Sequence, residues 1–473
     1  MAEGAEKPLV PGSDRAPDCN IFRSSRIQLN NEEAFVEMNN CLNILGYGHA
    51  LRQKRQEFYK QYDASLAPSG FVPSLKTIIV GSKAEGLSSF FESDRDHIAV
   101  TNIVECIEAG FEINSISENT PVFRMNTLIC YPGHCILLLE RGLPISLWIA
   151  LSENALGQVL LSSTAYVNMH KLGGHLSQGP VLNERAGPSL PIEIGHLKND
   201  IVFALRCHCP SILQRWAARS RHWPPADIVA MVVSMGAFLA PVGFKDSQNK
   251  HNEWRMCFNT GETELIINLN DTQVKLYVLL KMIAKVVLQP RNKEITSFML
   301  KNIVLWLAEN NPQSMFHERR LFFWLRESLL VIKSALSTKT LPYYMIPDRN
   351  LMAATGLTDA QQQTWIATLT EMIDEGPMIV RRLPKIRQAI ICHPQPLLWY
   401  TAQKLELEII LLEMAKELPY ISGNRAEGVL GLLFQHGLTW RVVEILNDVF
   451  ENMGYTDAHN LFDILDILNR MFI

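Results

Sequence analysis

The sequence predicts an α+β protein with a mixed β-sheet and one long helix in an N-terminal lobe. A helical second lobe and a helical C-terminal extension follow. Three observations predict it. Apolar residues recur at three- and four-residue steps across 35–62, the period of a helix. Short apolar, β-branched runs broken by Gly, Asn and Pro lie between 77 and 205. Beyond Pro210 the spacing reads as mostly helical.

The first helix rests on Phe35, Met38, Leu42 and Leu45, then Leu51, Phe58 and Tyr62. Asn31-Glu32-Glu33 supplies a cap and an acidic first turn. Gly46 and Gly48 predict a kink, and Ala67-Pro68-Ser69-Gly70 an end. Strands are expected at 77–80, 96–104, 122–129, 135–140, 145–150 and 200–205. Helices are expected at 276–287, 296–309, 318–337, 359–375, 401–417 and 439–453. Leu341-Pro342 and Ile346-Pro347-Asp348 mark a boundary. The expected organisation is a tail over 1–20, a first lobe over 21–210, a helical lobe over 211–345 and an extension over 346–473.

The chain has 473 residues, 47% hydrophobic and 19% charged, so wholesale disorder is excluded. Net charge is -4, so any nucleic-acid binding needs a local basic face. Nine cysteines without a Cys-x-x-Cys pair point to free thiols in a reducing compartment. Residues 1–20 hold no apolar leader core, and the apolar run 228–244 contains Ser234 and Pro241. A buried core segment and a cytoplasmic protein without membrane association are the expectation.

The informative stretch is Gly81-Ser82, then eleven residues, then Asp94-Arg95-Asp96. On a strand, positions i and i+2 share a face, so Asp94 and Asp96 face one way and Arg95 the other. Two adjacent carboxylates repel unless a cation lies between them. Magnesium, which prefers oxygen ligands, suits that place. Gly81 lets backbone approach a phosphate, and the Ser82 hydroxyl can hold a phosphate oxygen. Two-metal phosphoryl transfer needs a further carboxylate, and Asp200 at the head of a later strand is the candidate.

Gly-Ser, a short gap, two acids on one strand and a third on a later strand resemble the nucleotidyltransferase superfamily. More closely, the chain is similar to the cyclic GMP-AMP synthase-like receptors and their Mab relatives. The residues behind this are Gly187-Pro188-Ser189, Trp223-Pro224-Pro225, Glu253 to Phe258, Leu279-Leu280-Lys281 and Thr296 to Lys301, in the family's order. The string resembles invertebrate, molluscan members.

The resemblance implies a bilobed nucleotidyltransferase fold in which the long helix is the spine. It implies two magnesium or manganese ions on Asp94, Asp96 and Asp200. It implies triphosphate contacts from Ser82 and Lys281, base contacts from Arg255, Cys257 and Asn259, and a nucleotide face at Ser297 and Phe298. ATP and GTP are the implied substrates. Double-stranded nucleic acid, RNA favoured, is the implied activator, and a cyclic dinucleotide receptor such as STING the downstream partner. The alternative is a Mab-like scaffold or developmental protein that keeps the fold without the chemistry. The segment 258–275 has no cysteine or histidine, so a zinc ribbon is disfavoured there.

Other signals have bland readings beside sharp ones. Gly81 and Gly86 suggest a phosphate loop, but position 87 is leucine where that motif needs lysine. Cys207-His208-Cys209 lacks structural-zinc spacing and reads as buried thiols. Trp216 and Trp223 near Arg215, Arg219 and Arg221 read as core aromatics or a stacking surface. Arg52, Lys54, Arg55 and Lys60 read as a solvated helix face or, given the resemblance, a nucleic-acid face.

Overall fold

The computed structural model describes residues 38–66, 75–90, 92–175, 187–194, 197–288, 294–391, 395–415 and 439–452. The expected tail at 1–20, the cap at Asn31 and the turn at 67–70 lie outside them. The first helix breaks where the glycines predict. A π-turn spans Asn43–Tyr47, Gly46 sits at φ 90°, and the spine helix α1 then runs over His49–Leu66. Its buried face carries Leu51, Phe58 and Tyr59.

Among the described residues ten strands form: β1 (Leu75–Val80), β2 (Arg95–Ile107), β3 (Val122–Asn126), β4 (His134–Arg141), β5 (Leu151–Glu153), β6 (Val159–Leu161), β7 (Leu190–Ile194), β8 (Leu197–His208), β9 (Ala237–Ala240) and β10 (Glu253–Cys257). They form one mixed sheet ordered β1-β2-β3-β4-β10-β9-β8-β7, and β2 also pairs with β8. The pairings β2–β3–β4–β10–β9–β8–β2 thus close on themselves. β2 runs antiparallel to β1 and parallel to β8. The apolar residues of β2 and β8 pack inward, with Ile98, Val100 and Ala204 in one cluster.

Two expectations change here. The apolar run 145–150 is a 3-10 helix, Ile145–Ala150, not a strand. Pro144 removes a ladder donor, and its carbonyl accepts from Leu147 N at 2.8 Å instead. Beyond Pro210 the chain is not purely helical, because β9 and β10 complete the sheet. The run 228–244 divides at Gly236 (φ 70°) into a helix and β9.

The helices are α2 (Ser163–His175), α3 (Pro210–Ala217), α4 (Ala226–Met235), α5 (Asn259–Ile267), α6 (Asp271–Ile283), α7 (Ser297–Asn310), α8 (Leu321–Thr338), α9 (Asp359–Glu375), α10 (Pro384–Ile391), α11 (Gln395–Ala415) and α12 (Thr439–Asn452). α6 opens on a capping box between Asn270 and Gln273. One apolar cluster continues from the sheet through α6, α7 and α8 into α9, by way of the buried stretch Leu341, Tyr343, Tyr344, Met345 and Ile346. Residues 341–346 are therefore part of the core. Among the described residues no helix is long and apolar enough to cross a membrane.

Candidate active site

β1 ends at Val80, which pairs with Asp96, and Asp96 pairs with Asp200. The end of β1 and the heads of β2 and β8 therefore share one sheet edge. This register sets Asp96 beside Asp200, and Gly81-Ser82 directly follows Val80. Asp94 lies one residue before β2 and is exposed, Arg95 is buried and Asp96 half-buried. Arg95 is thus turned inward and Asp96 is not, as expected, but Asp94 lies off the strand, so the strand pairing of the two acids is not formed. Arg95 turns inward to stand 4.9 Å over the Phe90 ring and 5.9 Å over Tyr62, which explains a charged residue at an inward position.

Gly81 has φ +70°, and a methyl added there would sit 2.5 Å from Asp96 Oδ2. Only glycine brings this turn so close to the carboxylate. Residues Gly81–Ala84 form a single helical turn. Ser82 Oγ takes a hydrogen bond from Ser88 Oγ at 3.4 Å, and Ser88 takes one from Ser93 Oγ at 3.1 Å. Lys83 is fully buried beneath the turn and donates to the carbonyls of Ser89 and Phe90. Burial pulls its pKa down to about 7, with Arg95 adding to the effect.

Asp96 is pushed up to about 6, first by burial and then by the charge of Asp200, with Glu85 and Asp94 adding to it. The acids thus act on one another, as carboxylates crowded at one edge must. Every donor here is a carboxylate oxygen, which suits magnesium or manganese. Among the described residues no three His, Cys, Asp or Glu side chains converge as a ready ligand group. By the chemistry of their oxygens the acids suit a divalent cation; among the described residues a three-ligand cage is not preformed.

Lys281, on α6, is half-buried, with Nζ 5.6 Å from the Tyr277 ring centre. Burial lowers its pKa, opposed by Glu85, Glu92 and Asp96. It therefore lies within electrostatic reach of Asp96. Sequence reasoning missed the group that joins this edge to the helices. Lys301 on α7 and Glu85 form a buried ion pair, and Lys301 also feels Glu262. Glu262 is buried and accepts from Tyr343 Oη at 2.6 Å. The signal was present in part, since Lys301 closes the Thr296 to Lys301 string.

Tyr343 gathers a second cluster. Its ring lies 5.5 Å from Phe298 and 6.3 Å from Phe258, and Arg349 stands 5.0 Å above it. Arg255 and Cys257, both half-buried on β10, lie within electrostatic reach of Arg349. Arg349 passes close to Gly133, whose carbonyl accepts from Met256 N at 2.9 Å. The structure thus brings together Arg255, Cys257 and Phe298, and adds Arg349. Ser297 is exposed at the start of α7, its carbonyl accepting from Tyr277 Oη at 3.3 Å. Asn259 is half-buried at the start of α5.

The basic face expected on the spine is corrected in part. Arg52 and Arg55 are buried. Arg52 pairs with Asp271 at 2.9 Å, and Arg55 grips Glu408 with two bonds of 2.8 Å. Both charges are neutralised by partners far along the chain, which the sequence alone does not show. Lys54 and Lys60 remain exposed.

The bland readings hold for the other signals. Cys207 and Cys209 are buried thiols with sulfurs 4.0 Å apart. Trp216 and Trp223 are core residues, and Arg219 pairs with Glu309 at 2.8 Å.

No curated protein matches this chain. Residues 272–371 match the family model described as the Mab-21 protein HhH/H2TH-like domain. The match covers α6 to α9, bearing Lys281, Phe298, Lys301 and Arg349, and stops short of the acid edge. Over those residues, about a fifth of the chain, the protein is similar to the C-terminal domain of Mab-21 proteins.

Proposed function

We propose that this protein is a nucleotidyltransferase that joins ATP and GTP into a cyclic dinucleotide, in an innate immune response to double-stranded nucleic acid. The observation that carries the reading is the register of Asp96 with Asp200 beside the Gly81-Ser82 turn. Asp94, Asp96 and Asp200 are the residues that would hold two magnesium or manganese ions. Bound there, the metals supply a lowered charge on the α-phosphate and an activated attacking hydroxyl. Ser82 and Lys281 hold the triphosphate. Arg255, Cys257, Asn259 and Ser297 contact the second nucleotide, and Phe298 stacks on its base. Asp96 would bind a cation in its ionised form, and a divalent cation beside it would favour that form over the protonated one.

Double-stranded RNA is the proposed activator, bound through phosphate contacts by exposed lysines such as Lys54 and Lys60. The test incubates the full chain with labelled ATP and GTP, magnesium or manganese, and double-stranded RNA or DNA. A small phosphatase-resistant product, absent from Asp94→Asn/Asp96→Asn, is the expected result. Long labelled chains would mark a transferase acting on nucleic-acid ends instead.

The second reading is a scaffold or developmental protein without catalysis. It is favoured by the lack of a converged three-ligand group among the described residues. No product under any activator, manganese included, would support it.

A further inference from the structure

Helix α11, beyond the sheet and the α6–α9 bundle in the chain, reaches back to the turn that follows β1. Glu408 on that helix is fully buried. Its two oxygens accept from Arg55 Nε and Nη2 at 2.8 Å each. Oε1 also accepts from the backbone N–H of Phe90 at 3.1 Å. Arg55 Nη1 donates in turn to the carbonyls of Gly46 at 2.8 Å and Gly86 at 3.3 Å. Glu408 therefore holds Phe90 directly and Gly86 through Arg55, at the two ends of one loop. Leu412, one turn on, packs against Phe58, Tyr59 and Ile79. Lys385 on α10 pairs with Glu92 at 3.2 Å, and Glu92 accepts from Ser89 N at 3.2 Å.

A buried ion pair is a poor device for stability alone, because desolvating both charges offsets most of their attraction. A better-attested use is to select one arrangement of the groups it touches. What it touches here is the segment between Ser82 and Asp94. That segment returns to Ser82 through its own hydrogen bonds and reaches Ser93, the residue before Asp94. Leu87 N donates to Ser82 O at 2.8 Å, and the hydroxyls of Ser93, Ser88 and Ser82 form a chain.

We propose that Glu408 is a positioning residue for the nucleotide site. By fixing Phe90 and, through Arg55, Gly86, it sets the spacing between the Ser82 turn and Asp94. The C-terminal extension is then part of the site and not an appendage. The proposal rests on the reading of Gly81-Ser82 and the three acids as a metal–nucleotide site.

The test measures ATP binding with magnesium by calorimetry and hydrogen exchange over 81–94, on the full chain. Glu408→Ala is expected to weaken ATP binding about tenfold, the scale of a lost charge-assisted contact, and to speed exchange over the loop. Glu408→Gln, which keeps an acceptor for Phe90 N, recovers most of both. Leu412→Ala lowers the melting temperature and leaves ATP affinity within about twofold, a change small against that tenfold loss. If Glu408→Ala does not fold, Arg55→Lys carries the same expectation, since lysine keeps the charge but loses the fork. A folded Glu408→Ala with wild-type affinity, beside a weakened Ser82→Ala, overturns the positioning role. So does an equal affinity loss in Leu412→Ala, which would make packing the cause. A wild-type chain that binds no ATP overturns the site reading itself, and the positioning role with it.

Discussion

Replacing Gly81 with alanine probes the close approach on which the acid edge depends. Two costs can be read from the structure. The backbone sits at φ +70°, where an L-residue costs about 1–2 kcal/mol. The added methyl would also lie 2.5 Å from Asp96 Oδ2 and 3.4 Å from its Cγ. Either the carboxylate turns away or the β1 turn shifts, on the order of another 1–2 kcal/mol. Gly110 separates the two terms, having φ +83° and nothing within 4 Å of the added methyl. Gly81→Ala is therefore expected to cost about 2–4 kcal/mol and Gly110→Ala about 1–2 kcal/mol. Urea unfolding of the full chain measures both. In an Asp96→Ala background the difference should vanish, which is the double-mutant test. Equal costs in the wild-type background, or a difference that survives Asp96→Ala, would refute the reasoning.

Three further outcomes follow from the buried charges. Asp96 has its pKa raised from 3.8 to about 6, so the folded state holds a proton that the unfolded chain releases between these values. Its contribution to stability falls as pH rises from about 4 to 6 and stays low above that. Asp96→Asn, in the presence of chelator, should thus be more stable than wild type by about 1–3 kcal/mol at pH 8 and not at pH 4. Urea midpoints at the two pH values check it, and an equal effect at both contradicts it. Tyr343→Phe removes the hydroxyl that donates to buried Glu262 at 2.6 Å and should cost about 1–3 kcal/mol in thermal unfolding. Arg219→Ala leaves the buried Glu309 carboxylate without its counter-charge, Tyr344 Oη remaining as a neutral donor at 2.7 Å, and removes the guanidinium 4.5 Å from the Trp306 ring centre. A loss of about 3–5 kcal/mol is expected by urea unfolding, and a loss under 1 kcal/mol would contradict the pairing.

Local pattern carried the elements well. The kink at Gly46, the strands at β1, β2 and β8, and α9 at Asp359–Glu375 all follow from spacing and breakers. The acid edge was legible because its parts lie at strand ends, where a motif in sequence becomes a motif in space. What failed was the long-range part. Arg52 and Arg55 look like a solvated basic face until Asp271 and Glu408 arrive from 219 and 353 residues away. The short β9 and β10 carry too few residues for a period-two signal. The run at 145–150 is apolar enough for a strand, and Pro144 decides otherwise. Lys301, Glu262 and Arg349 join the site only through tertiary packing, so no spacing rule finds them.

Asp96 and Asp200, paired in register beside Gly81-Ser82, are proposed to bind a metal–nucleotide. The direct measurement is calorimetric titration of ATP into wild type and Asp200→Asn, with magnesium and with chelator. Binding is expected to need magnesium and to fall at least about tenfold in Asp200→Asn, in line with the loss of a charged ligand. Binding that is indifferent to both the metal and the substitution would contradict it, as would no binding by the wild-type chain.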